Sequence, residues 1–108
     1  MEDVEADEGA PLTISNAEDG GGIVISLEGE LDLSSAPQLR EAIDEALESK
    51  PDHLVLDLHG LRFMDSSGIA VLVHTQARID SLTLRQPAEL IRRVLEITGL
   101  TKVFAVEQ

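Results

Sequence analysis

Apolar and polar residues alternate over Leu12-Thr13-Ile14-Ser15, the period of a strand with one buried face, and Ile23 to Glu28 reads as a second strand. Asp19-Gly20-Gly21-Gly22 separates the two runs, and its turn chemistry predicts a hairpin. The period then changes. Leu39, Ile43, Ala46 and Leu47 form one stripe of a 3.6-residue helix, with Glu41, Asp44, Glu45 and Glu48 mostly elsewhere. Ahead of that stripe, Ser35-Ala36-Pro37-Gln38 has the form of a capping box, with proline in the first turn, where its missing N–H costs little. Pro51 stops the helix after about Ser49. The short apolar run Leu54 to Leu58 predicts a third strand. Ile69-Ala70-Val71-Leu72-Val73-His74 opens a run long enough for a buried helix, starting at Ser66 or Ser67 and reaching about Arg78. A strand over Leu82 to Arg85, a helix over Ala88 to Thr98 and a strand over Val103 to Val106 complete the chain. In the second amphipathic helix Leu90, Ile91, Val94, Leu95 and Thr98 share a face, and Gly99 suits the left-handed residue beyond its end.

Strands that alternate with helices argue for parallel pairing, and the opening hairpin supplies an antiparallel part. The expected fold is α/β, one domain on a mixed sheet of about five strands, without repeat or internal linker. Its length agrees: 108 residues bury roughly 65% of the surface exposed by the unfolded chain, enough for one core. The longest wholly apolar run, Ile69 to Val73, is far short of the roughly 20 residues of a membrane span. Acids stand at the N-terminus where a signal peptide would carry basic residues, and there is no cysteine, so a reducing cytosol is the expected location.

Charge narrows the partners. Eight basic residues against 21 acidic ones give −13, which repels phosphate backbones and anionic lipid and argues against direct nucleic-acid binding. A surface presenting Arg and Lys is the natural complement. Glu2, Asp3, Glu5, Asp7 and Glu8 lie in an acidic segment, residues 1–11, that is expected to be a mobile tail before a domain over 12–108.

The candidate chemistry is concentrated in Phe63-Met64-Asp65-Ser66-Ser67-Gly68, between a strand and a helix. Hydroxyl and carboxylate side chains are favoured there because the first N–H groups of a helix have no internal partner. A serine at such a helix start also faces the positive end of the dipole, a favourable place for a phosphate. On chemistry alone Ser66 and Ser67 are equivalent, and either could be an ordinary cap. A nucleophilic serine would need a base within reach, and DSSG is not the G-x-S-x-G of a nucleophile elbow. No motif places His53, His59 or His74 to serve it, and their spacing makes no metal site. Catalysis, cofactor and metal are therefore not expected.

FMDSSG, preceded by Gly29-Glu30-Leu31-Asp32 and followed by Pro87-Ala88-Glu89-Leu90-Ile91-Arg92-Arg93-Val94-Leu95-Glu96-Ile97-Thr98-Gly99-Leu100, resembles the STAS domain of the anti-sigma factor antagonists, from about Leu12 to Glu107. The resemblance implies a STAS-type domain with helices packed mainly on one face of the sheet. It also implies a phospho-switched binding module: the unphosphorylated form captures an anti-sigma factor serine kinase and frees a sigma factor, and the kinase then phosphorylates the first serine, Ser66, with Ser67 as the alternate. A serine phosphatase is the further expected partner, and a monomer the expected state. Asp32, Met64, Asp65, Ser66, Ser67, Gly68 and Ile69 become partner-contact candidates. For Asp32 the competing reading is a solvated turn aspartate. For Asp65 capping competes with help in coordinating the kinase's nucleotide metal. STAS domains also serve as regulatory parts of membrane anion or lipid transporters, which is the alternative function. One departure stands out: the usual glycine turn is absent between Arg78 and Leu82. Three residues reach only about 10 Å, so residues are expected to be missing near Asp80 and Ser81.

Overall fold

The computed structural model describes residues 11–108. The acidic segment expected to form a tail therefore lies, all but Pro11, outside the described residues. The elements follow in the order β1 (Thr13–Asp19), β2 (Gly22–Leu31), α1 (Ala36–Glu48), β3 (His53–Met64), α2 (Ser66–Arg78), β4 (Leu82–Arg85), α3 (Glu89–Ile97), a 3-10 turn (Leu100–Lys102) and β5 (Ala105–Glu107). The strands lie side by side in chain order, β1 antiparallel to β2 and all later pairs parallel. Each parallel crossover steps in the same direction. With the right-handed crossover that twisted sheets require, all three helices fall on one face.

That face holds the core. Ile25, Leu27 and Leu31 of β2, Leu54, Leu56, Leu58 and Leu61 of β3, and Leu82 and Leu84 of β4 meet Leu39 and Ile43 of α1, Val71 and Leu72 of α2, and Ile91 and Leu95 of α3. The other face is mixed, with Ala17, Val24, Val55, Thr83 and Ala105 in one row across the sheet and Val55 buried. In register across all five strands run Ser15, Ser26, Asp57, Arg85 and Glu107, and Arg85 donates to Glu107 over 3.0 Å.

The two central strands run further than alternation predicts. Glycines at 29 and 60 interrupt the pattern, yet pairing continues through two register shifts, between Ser26 and Glu28 and between Gly29 and Glu30. Gly29 takes φ 114°, and a Cβ there would stand 2.0 Å from the Pro11 carbonyl oxygen. Only glycine fits. As a result β2 and β3 end level, with Leu31 paired to Met64.

The helices correct the sequence reading in three places. α2 is not wholly buried: Gly68, Val71, Leu72 and Thr75 face the core while Ala70, Val73 and His74 are exposed. On α3 the buried stripe is Ile91 and Leu95, and Leu90, placed by pattern on the core face, is 55% exposed. The last strand begins two residues late because Leu100–Lys102 turns as a 3-10 helix after Gly99, whose φ of 77° is the left-handed conformation expected of it. The join over Ile79, Asp80 and Ser81, where missing residues are expected, is three residues long. Ile79 turns at once to an extended conformation, donating its N–H to Thr75, and the Ser81 carbonyl already accepts from Leu54 N at the start of the sheet. The three-residue join spans the gap in extended form, from the last turn of α2 to the first bond with β3.

Candidate functional site

The level ends of β2 and β3 create the site. The Asp65 N–H donates to the Leu31 carbonyl over 3.1 Å, so the residues just beyond the paired Leu31 and Met64, Asp32 and Asp65, leave the sheet side by side.

Asp65 is extended, and its Oδ1 accepts from Ser67 N at 2.8 Å and Gly68 N at 3.4 Å. It is the cap of α2, satisfying two orphan N–H groups of the first turn. Neither serine has that duty. Ser66, the first residue of the helix, is exposed, and Ser67 is half-buried. Gly68 packs against the strand ends: a Cβ there would lie 2.6 Å from Met64 Cγ and 2.7 Å from Leu31 Cδ2. The glycine of the motif thus lets the first turn of α2 settle directly on the β2–β3 pair, which fixes where Ser66 stands.

Asp32 organises the other loop. Its Oδ1 accepts from Ser34 Oγ at 2.8 Å, Ser34 N at 3.0 Å and Ser35 N at 3.2 Å. The Ser34 hydroxyl is the largest influence holding its carboxyl below the ordinary value; the N–H groups of Ser34 and Ser35 and the Ser35 hydroxyl add to it against an opposing desolvation. The capping box expected over Ser35 to Gln38 does not form. Ser35 Oγ instead accepts from Asp32 N at 2.9 Å and donates to the Glu30 carbonyl at 3.0 Å, while Gln38 Nε2 donates to the Leu12 carbonyl at 2.9 Å. The loop outcompetes the helix for these side chains because Ser35 already has helical backbone angles, φ −105° and ψ −14°, rather than the extended ones of a cap.

Of the seven contact candidates, Asp32, Asp65, Ser66, Ser67 and the half-buried Ile69 gather at this corner. Met64 and Gly68 are buried beneath it, so they support the surface rather than form it. Outside these candidates, Leu33, Phe63 and Val73 are exposed apolar side chains, at 76%, 41% and 39%. Leu33 carried a signal, a lone apolar residue between Asp32 and Ser34-Ser35, which are turn-forming types. Among the described residues no hydrogen bond joins a histidine to either serine. His74 stands two turns along α2, about 12 Å of helix rise from Ser66, and His59 N donates to Asp57 on β3. Among the described residues no cluster could hold a metal and no helix is long and apolar enough to cross a membrane.

The family profile described as "Mlab, STAS domain" matches residues 14–107. The chain belongs to the STAS domain family. Among curated relatives, the anti-sigma-F factor antagonist RsfB of Mycobacterium tuberculosis is 33% identical over 96 residues, 86% of this chain and 79% of the relative. The anti-sigma-B factor antagonist of Bacillus subtilis is 34% identical over 88 residues, 78% of this chain and 80% of the relative. Among solved structures, an anti-sigma factor antagonist from Mycobacterium paratuberculosis superposes with TM-score 0.84 at 29% identity, covering 89% of this chain and 85% of that one. The five-strand mixed sheet with its helices on one face is thus the STAS fold.

Proposed function

We propose that this STAS domain is an anti-sigma factor antagonist. In its unphosphorylated form it binds an anti-sigma factor serine kinase and so releases a sigma factor; transfer of a phosphoryl group to Ser66 ends the binding, and a serine phosphatase restores it. The observation that carries the reading is the division of labour at the start of α2. Asp65 caps the helix and leaves Ser66 exposed at its first position beside the Asp32 loop. The antagonist names of relatives that match most of the chain support it. An exposed hydroxyl at a helix start suits both halves of such a cycle, since it can lie in a protein contact and, once esterified, a phosphate there is favoured by the dipole. The work is binding rather than catalysis, in the cytoplasm, by a chain whose charge of −13 complements a basic partner surface.

The test is a pull-down with the unphosphorylated protein, followed by phosphopeptide mapping after incubation with the captured kinase and ATP. The expected result is an anti-sigma factor in the pull-down and phosphate on Ser66. Ser66→Ala should bind and resist being switched off, and Ser66→Asp should bind poorly. Capture of a membrane transporter in place of an anti-sigma factor overturns the reading, and phosphate on Ser67 alone overturns the assignment.

A further inference from the structure

Three of the four residues from Asp32 to Ser35 turn their side chains into the loop. Asp32 accepts from the N–H groups of Ser34 and Ser35, Ser34 Oγ donates back to Asp32, and Ser35 Oγ spans Asp32 N and the Glu30 carbonyl. The backbone closes the same loop, Ala36 N to the Asp32 carbonyl at 2.8 Å. The fourth residue is Leu33, which points away from this network and is 76% exposed. A single exposed leucine is ordinary on a protein surface. What sets this one apart is a loop whose conformation is fixed by its neighbours, so little conformational freedom is left to lose when it is buried in a contact.

We propose that Leu33 is the apolar anchor of the partner interface, entering an apolar pocket bordered by basic side chains on the anti-sigma factor. The inference rests on the function proposed above and goes beyond it in naming the residue that sets affinity and the chemistry that receives it. Two observations select this occupant. Leu33 is continuous with the switch corner, because the bond from Asp65 N to the Leu31 carbonyl ties its loop to the start of α2. Its surroundings are anionic, with Asp32 in the same loop and Asp65 beside it on a chain of net charge −13, which matches a basic pocket rim. On this view the role of Asp32 is positioning: it aims the leucine.

The experiment titrates wild type, Leu33→Met, Leu33→Ala and Leu33→Asp by calorimetry against the anti-sigma factor that the wild-type protein captures. Amide NMR spectra and melting temperatures of the variants should match wild type outside the loop, since the side chain contributes almost nothing to the core. Expected are affinities within about threefold for Met, weaker by about tenfold or more for Ala and by about a hundredfold or more for Asp, the pattern of an anchor in a desolvated pocket. Leu33→Asp binding as tightly as wild type overturns the anchor and leaves the antagonist function standing. A wild-type protein that captures no anti-sigma factor overturns that function and the anchor together. Sedimentation showing a wild-type dimer that Leu33→Asp abolishes assigns the leucine to a second copy and likewise overturns the proposal.

Discussion

Asp32 shows how one carboxylate can shape a surface without being buried. Its lowered pKa belongs to the folded loop, where the Ser34 hydroxyl and the N–H groups of Ser34 and Ser35 favour the charged form. In the unfolded chain the group titrates near about 3.9. A folded value below the unfolded one means the stabilisation is fully present above about pH 4 and is lost as the pH falls through the lowered folded value. Asp32→Asn removes that dependence while keeping an acceptor oxygen. Urea unfolding of both proteins should show a stability gap in favour of wild type at about pH 7 that closes toward about pH 3. A gap that stays constant or widens on acidification would contradict this account. The residue and its turn role were legible in the sequence, but the bonds to Ser34 and Ser35 were not, because this Asx-type bonding depends on backbone angles that the residue types alone do not specify.

At the scale of elements, the sequence was most readable where one face is buried and the other is wet. β4 over Leu82–Arg85 and the start of α2 at Ser66 fall where periodicity and turn chemistry place them. It was least readable where a backbone irregularity carries an element onward. Gly29 and Gly60 look like strand ends, and in the structure they lie within strands that continue to Leu31 and Met64. The difference matters to function, since a β2 ending at Glu28 and a β3 ending at Leu58 could not deliver Asp32 and Asp65 to one corner. α3 shows a second failure of pattern. Leu90, Ile91, Val94 and Leu95 span too wide an arc for apolarity alone to locate the buried side, and the sheet takes Ile91 and Leu95. An alanine scan reads the orientation directly. Leu95→Ala should cost about 2 to 5 kcal/mol, as for other buried leucines, whereas Leu90→Ala and Ile97→Ala, at 55% and 78% exposure, should stay within about 0.5 kcal/mol. A large loss at Leu90 would turn the helix by a third of a turn and bring back the face read from the pattern.

For the molecule as a whole, the arrangement separates stability from signalling. The core lies between one face of the sheet and three helices, while Ser66, the proposed phosphoacceptor, is exposed at the start of α2. Phosphorylation of Ser66 would add about −1.5 to −2 charges at pH 7, and at the start of α2 the helix dipole favours such a charge by about 0.3 to 1 kcal/mol. Nothing in the core must move to receive it. At a partner surface the consequence has the opposite sign. A phosphate must be accommodated where a hydroxyl fitted, beside the carboxylates of Asp32 and Asp65 and on a chain already at −13, and disrupting a buried polar contact costs about 2 to 5 kcal/mol. At about 1.4 kcal/mol per tenfold, affinity should fall by roughly 30-fold to several thousandfold. Amide NMR spectra of the two forms should then differ only around Asp32 to Ser35 and Met64 to Ile69, with partner binding lost under the same conditions. Shifts spread through the β1–β2 hairpin and α3 would show instead that the switch works by refolding the domain, and the separation between core and signal would not hold.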